Sequence, residues 1–168
     1  HSRGGAQTAL YAVERDNPLI KAVVLYAPAT RDPAKDAAGY QERYKKPLAP
    51  LLEQAQTLVK AGKGSTVLEH TDFLYCPDTS VTADNFVSYY GPDPHLDTAY
   101  LIPKLRKPTL VVLAGNDEVL VGFKKVVPLA DGKRVQMKVV DGADHFFRDL
   151  YADDAVEAIV AFLKDNGL

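Results

Sequence analysis

The chain opens on residues able to do chemistry. His1-Ser2-Arg3-Gly4-Gly5 leads directly into Ala6-Gln7-Thr8-Ala9-Leu10-Tyr11-Ala12-Val13, a small-residue start to an apolar helical pattern. A serine, one neighbour and two glycines opening a helix are what a nucleophile elbow needs. The hydroxyl stands on a sharp strand-to-helix turn, and a side chain at Gly4 is expected to collide with nearby backbone. The helix that follows aims its first N–H groups at charge developing on a bound molecule. A serine hydroxyl is a poor nucleophile until a base takes its proton, so a histidine and an acid to orient it are required downstream.

The elements that must position those groups follow an α/β rhythm. Helix one is expected over residues 5–15, stopped by Asp16-Asn17-Pro18. Residues 20–26 form a nearly continuous apolar run, as in a parallel strand covered on both faces. A second run at 109–114 follows Pro108 and ends at Gly115. A third at 135–140 alternates at first and reads as an edge strand with one wet face. A short or broken helix is expected at 119–129, interrupted by Gly122 and Pro128. In a final helix Asp153 and Asp154 favour the N-terminus, Val156, Ile159, Val160 and Leu163 form the buried stripe, and Gly167 ends it. Helix–strand–helix–strand–helix argues for α/β with right-handed crossovers.

Residues 29–107 break that rhythm. Helices are expected at 50–61, with Leu51, Leu52, Ala55, Leu58 and Val59 on one face, and at 83–90, with Thr82 as cap and Gly91 as stop. The segment holds Tyr40, Tyr44, Phe73, Tyr75, Phe86, Tyr89 and Tyr90. An insertion of this size reads as a helical lid over a site, with the core in 1–28 and 108–168. Each aromatic has an equal claim to filling the insertion's own core.

Composition narrows the partners. The 168 residues hold 20 basic and 22 acidic side chains, a net charge of −2, which gives no electrostatic case for nucleic acid or an anionic membrane. The longest apolar run, 22–29, contains Pro28 and is too short to span a bilayer. The one cysteine, Cys76, allows no internal disulfide and reads as a small buried hydrophobe. His70 and His95 read as surface or structural histidines. With no Cys/His/carboxylate cluster at ligand spacing, neither a metal nor another cofactor is expected.

Together these motifs resemble the serine hydrolases of the α/β-hydrolase fold. His1-Ser2-Arg3-Gly4-Gly5 is similar to the second half of that family's Gly-x-Ser-x-Gly elbow. Residues 108–117 (Pro-Thr-Leu-Val-Val-Leu-Ala-Gly-Asn-Asp) resemble its penultimate strand and acid loop. Asp141-Gly142-Ala143-Asp144-His145-Phe146-Phe147 resembles the loop that bears its histidine. The resemblance implies Ser2 as nucleophile, His145 as base, Asp117 as the orienting acid and the Arg3 amide as one oxyanion donor. Glu118, Asp141, Asp144 and Asp32 compete for the acid's place. His1 would flank the nucleophile as a packing residue.

The implied activity is cleavage of an ester, thioester or amide of a small substrate, most readily a carboxylic ester. A non-catalytic binding or scaffold protein on the same fold is the alternative. In this family the elbow follows the fifth strand. The resemblance therefore implies that the chain is the C-terminal part of a larger hydrolase, with the N-terminal strands and the second oxyanion donor supplied by a missing half.

Overall fold

The structure, a computed structural model, describes residues 1–15, 17–119 and 126–168. The elements run α1 (Ser2–Glu14), β1 (Val23–Tyr26), α2 (Pro33–Tyr44), α3 (Ala49–Lys60), β2 (Val67–Phe73), β3 (Cys76–Thr82), α4 (Ala83–Tyr90), α5 (Thr98–Leu101), β4 (Thr109–Ala114), β5 (Val135–Val140) and α6 (Tyr151–Asp165). The chain divides into two units, His1–Arg31 with Pro94–Leu168, and Asp32–Asp93.

The first unit is built on a parallel sheet in the order β1-β4-β5. All six residues of β4 are buried, as expected for the middle strand of a sheet covered on both faces. Its side chains alternate between two apolar layers. Val111 and Leu113 meet Val23, Leu25, Val135 and Ala9 of α1, together with Leu101, Ile102 and Leu105. Leu110, Val112 and Ala114 meet Val140, Phe147, and Ala155 and Phe162 of α6. One helix on each face of the sheet gives an α/β/α sandwich.

Two of the three strands form over the residues expected. β1 is shorter, because its register begins at Val23 opposite Thr109 and, among the described residues, the ones before it pair with no strand. Asn17 to Lys21 instead turn on themselves, with the Ile20 amide donating to Asn17 O and Lys21 Nζ to Pro18 O. Most of the helix expected at 119–129 lies outside the described residues, as does Asp16 of the first stop; Val127–Leu129 form a single 3-10 turn.

The final helix is rotated from its expected stripe. Ala155 and Phe162 are buried with Ile159 and Leu163 beside them, whereas Val156 is 56% and Val160 42% exposed. Two overlapping apolar stripes exist on this helix, and the one containing the large Phe162 ring wins the sheet. Asp153 and Asp154 in the first turn and Lys164 in the last complement its dipole.

The second unit packs α2, α3, α4 and the antiparallel hairpin β2–β3 around Tyr40, Leu48, Ala55, Leu68, Val81, Ala83, Phe86 and Tyr90. Its helix starts follow local chemistry. Asp32 caps α2 by accepting from the Lys35 amide, Pro50 lies in the first turn of α3, and Thr82 accepts from the Asn85 amide at α4. The hairpin and α2 were not foreseen in an insertion expected to be helical. Register shifts between Leu68 and Phe73, with His70 at φ 51°, break the alternation that would have marked a strand. Most of the insertion's aromatics fill this unit's own core: Tyr40, Tyr44 and Tyr90 hydrogen-bond the backbone of Asp72 and Leu74, and burial pushes Tyr40 and Tyr90 up to about 12. Tyr75 is exposed under the Arg43 guanidinium. Cys76 is exposed as well, not buried, because it begins β3 just past the hairpin turn. Among the described residues no helix is long and apolar enough to cross a membrane.

The rotated helix is testable. Phe162→Ala is expected to cost about 3–5 kcal/mol in urea unfolding, while Val156→Ala stays within about 0.5 kcal/mol. Equal costs would place the stripe where the sequence alone put it.

Candidate active site

Parallel pairing places the C-terminal ends of β1, β4 and β5 side by side, at the sheet edge where open α/β sheets gather ligands. Three loops leave that edge. Ala27-Pro28-Ala29 follows β1, and the Ala29 amide donates to Ser2 O at 2.9 Å, tying the start of α1 to the sheet. Gly115-Asn116-Asp117 follows β4. The loop after β5 runs through Asp141 to Phe147, and the two are stitched together: Gly115 N donates to Val140 O and Asn116 N to Ala143 O, both at 2.9 Å.

This stitching brings Ser2, His145 and Asp117 into one line. His145 Nε2 lies 3.1 Å from Ser2 Oγ, and Nδ1 lies 2.8 Å from Asp117 Oδ2. The imidazole and carboxylate side chains are only 3% and 6% exposed. An ionised carboxylate only accepts, so Nδ1–H donates to Asp117, and in the neutral ring Nε2 presents its lone pair to the Ser2 hydroxyl. The Val119 amide donates to the other oxygen, Oδ1, at 2.9 Å and fixes the carboxylate's orientation.

Two of the four competing acids are engaged elsewhere and the other two face solvent. Asp32 caps α2, Asp144 accepts from the Phe146 and Arg148 amides and pairs with the Arg148 guanidinium, and Glu118 and Asp141 are exposed. Arg3 lies in the first turn of α1, where amides precede the intrahelical ladder. His70 pairs with Asp78 on the hairpin surface at 2.8 Å, which holds its imidazole above the usual histidine range. Among the described residues no cluster of three or more His, Cys, Asp or Glu could hold a metal ion.

Ser2 itself is left-handed, at φ 54°, an unfavourable conformation for a residue with a Cβ. The close approach expected of Gly4 belongs to its neighbour. A Cβ on Gly4 meets nothing within 4 Å, whereas one on Gly5 would lie 2.9 Å from Pro28 Cβ and 3.1 Å from Pro28 Cα. The helix starts at Ser2, three residues earlier than expected, so Gly5 rather than Gly4 faces the loop after β1. Sequence reading also missed a contact of His1, whose Nε2 lies 2.9 Å from the main-chain oxygen of His145. The pattern of apolar runs holds no signal for that bond.

A parallel sheet between helices, with an acid and a histidine on loops after neighbouring strands and a serine at the start of the first helix, is the α/β-hydrolase fold. Solved structures of similar fold include Est1E from Butyrivibrio proteoclasticus, with a TM-score of 0.55, 19% identity, and 99% of this chain covering 58% of that one. A Paleococcus ferrophilus monoacylglycerol lipase matches at TM-score 0.61 and 19% identity, over 99% of this chain and 66% of the other. The esterase domain of a Rhodothermus marinus protein matches at 0.54 and 18%, over 98% and 59%. The chain thus spans 58–66% of the length of these structures. No protein-family model and no curated protein matches the sequence.

The Gly5 contact yields a paired test. Gly5→Ala is expected to destabilise the protein by about 1–3 kcal/mol through overpacking against Pro28. Gly4→Ala is expected to be neutral or slightly stabilising, since alanine favours a helix over glycine. Urea unfolding of the two variants checks this, and a cost at Gly4 alone would return the close approach to that position.

Proposed function

We propose that the chain carries the catalytic groups of a serine hydrolase that cleaves an ester, thioester or amide of a small substrate, most readily a carboxylic ester. The observation supporting this is the line from Ser2 Oγ through His145 to Asp117, with separations of 3.1 and 2.8 Å. The structures of similar fold include a monoacylglycerol lipase and an esterase domain, which support the same reading.

On this reading Ser2 Oγ attacks the substrate carbonyl as His145 Nε2 takes the hydroxyl proton. The imidazolium so formed is stabilised by Asp117, which stays ionised. The Arg3 amide donates to the oxyanion, and the tetrahedral adduct collapses as His145 returns the proton to the departing alcohol, thiol or amine. Water then attacks the acyl carbon, gives its proton to His145, and releases the acid as Ser2 Oγ is reprotonated. Losing one of two oxyanion donors costs roughly 3 kcal/mol or more in transition-state stabilisation. The second donor, and the strands that would extend the sheet beyond β1, are proposed to come from residues outside this chain. The insertion at 29–107 is proposed to act as a lid. Most of its aromatics pack within their own unit, so they give little guide to substrate shape.

A fluorophosphonate probe tests the assignment on the full-length protein. Labelling is expected and should vanish in Ser2→Ala. His145→Ala is expected to lower turnover of an activated ester by about four powers of ten or more. A full-length protein that takes no label is a binding protein on this fold, and a loss under tenfold in His145→Ala assigns the base elsewhere.

A further inference from the structure

The bond from His1 to the His145 backbone has a direction that chemistry settles. A carbonyl oxygen only accepts, so His1 Nε2 carries a proton and donates it at 2.9 Å. The His1 ring also lies 4.7 Å from the His145 ring, 5.9 Å from Tyr26 and 6.1 Å from Phe146, centroid to centroid. Tyr26 in turn packs 4.1 Å from Phe147, which is buried in the left-handed conformation at φ 49°. His1, the residue before the nucleophile, thus meets the end of β1 and the histidine loop together.

We propose that His1 is a positioning residue, a clamp that holds the His145 loop against the elbow when the Ser2–His145 bond is absent. The inference rests on the acyl-transfer reading. Neighbouring residues, His1 and Ser2, each bind His145, one through its main chain and one through its ring. The ring bond requires a hydroxyl proton on Ser2. Once Oγ bears an acyl group that proton is gone, and an ester oxygen gives Nε2 nothing to accept. The His1 bond involves no atom that reacts, so it persists through the acyl-enzyme, when His145 must stay in place to draw a proton from water. Its contribution therefore falls on deacylation more than on acylation.

The test separates the two steps in His1→Phe, which keeps a ring without the donor, and His1→Gln, whose amide N–H reaches about as far as Nε2–H. In pre-steady-state hydrolysis of an activated ester, His1→Phe is expected to slow deacylation about fivefold to tenfold, the loss of one ordinary hydrogen bond. Capture of a fluorophosphonate by Ser2 should change less than twofold. His1→Gln should restore deacylation to within about twofold, with the Tm of both variants near wild type. Parallel loss of both steps with a lowered Tm would reduce His1 to a packing residue. Wild-type deacylation in His1→Phe, or no recovery in His1→Gln, overturns the clamp. A wild-type protein inert to the fluorophosphonate sinks the acyl-transfer reading instead. The bond is then judged by the His145 carbonyl carbon chemical shift, which must move in His1→Phe and return in His1→Gln for the contact to stand.

Discussion

A hydrogen-bonded line joins Ser2, His145 and Asp117 across separations of 143 and 28 residues. Closing loops of that length costs chain entropy that rises with the logarithm of the loop. Two hydrogen bonds with a net contribution of roughly 1 kcal/mol each do not cover it. The closure is carried by the sheet. Neighbouring strands lie about 5 Å apart, so once Val23–Tyr26, Thr109–Ala114 and Val135–Val140 pair in register, the loops bearing Asp117 and His145 lie side by side. The loop after β1 holds the start of α1, with Ser2, beside them through the Ala29 amide. The burial of Leu25, Val111, Val112 and Val135 therefore does the positioning, and the polar groups inherit it.

The edge of that sheet also holds unfavourable backbone. Ser2, Ala27 and Phe147 all have positive φ, at 54°, 37° and 49°. Such conformations cost of order 1–3 kcal/mol each and persist only where the surroundings over-determine them. Each has an identifiable restraint. Ser2 O accepts from the Ala29 amide, the Ala27 amide donates to Val112 O, and the Phe147 amide donates to Asp144 O while its ring is buried beside Tyr26. Gly5 completes the arrangement by letting the first turn of α1 approach Pro28, which any Cβ would obstruct. The serine hydroxyl is raised toward the imidazole by this set of contacts rather than by the helix alone.

The core strands were legible because burial on both faces writes 109–114 as an uninterrupted apolar run and an edge position writes 135–140 as an alternating one, and both match the observed bounds. The order serine, acid, histidine was legible because the serine opens a glycine-rich helix start and the acid and histidine each follow an apolar strand. What failed did so for local reasons. The stripe on α6 had two solutions, and only the sheet surface distinguishes Phe162 from Val156. The hairpin was hidden by its own bulges and by His70 in a left-handed conformation. Gly5 was passed over for Gly4 because the choice depends on where the helix begins, a boundary that sequence fixes only to within a few residues. The hydrogen bond of His1 left no trace because its partner is a main-chain oxygen, and every residue has one.

That last point bears on how protons are distributed across the site. Asp117 and the His145 carbonyl can only accept, so each facing imidazole nitrogen must donate. With Nδ1–H of His145 committed to Asp117, the neutral ring has one basic nitrogen left, and the geometry aims it at Ser2 Oγ. Under the proposed reaction, only that final contact is made and broken in a turnover, while the bonds from Asp117 and His1 to His145 keep their partners at every stage. A base held at two points by groups that do not react can give up its third contact and recover it without searching. The two outer bonds thereby matter most at the moment when the central one is missing.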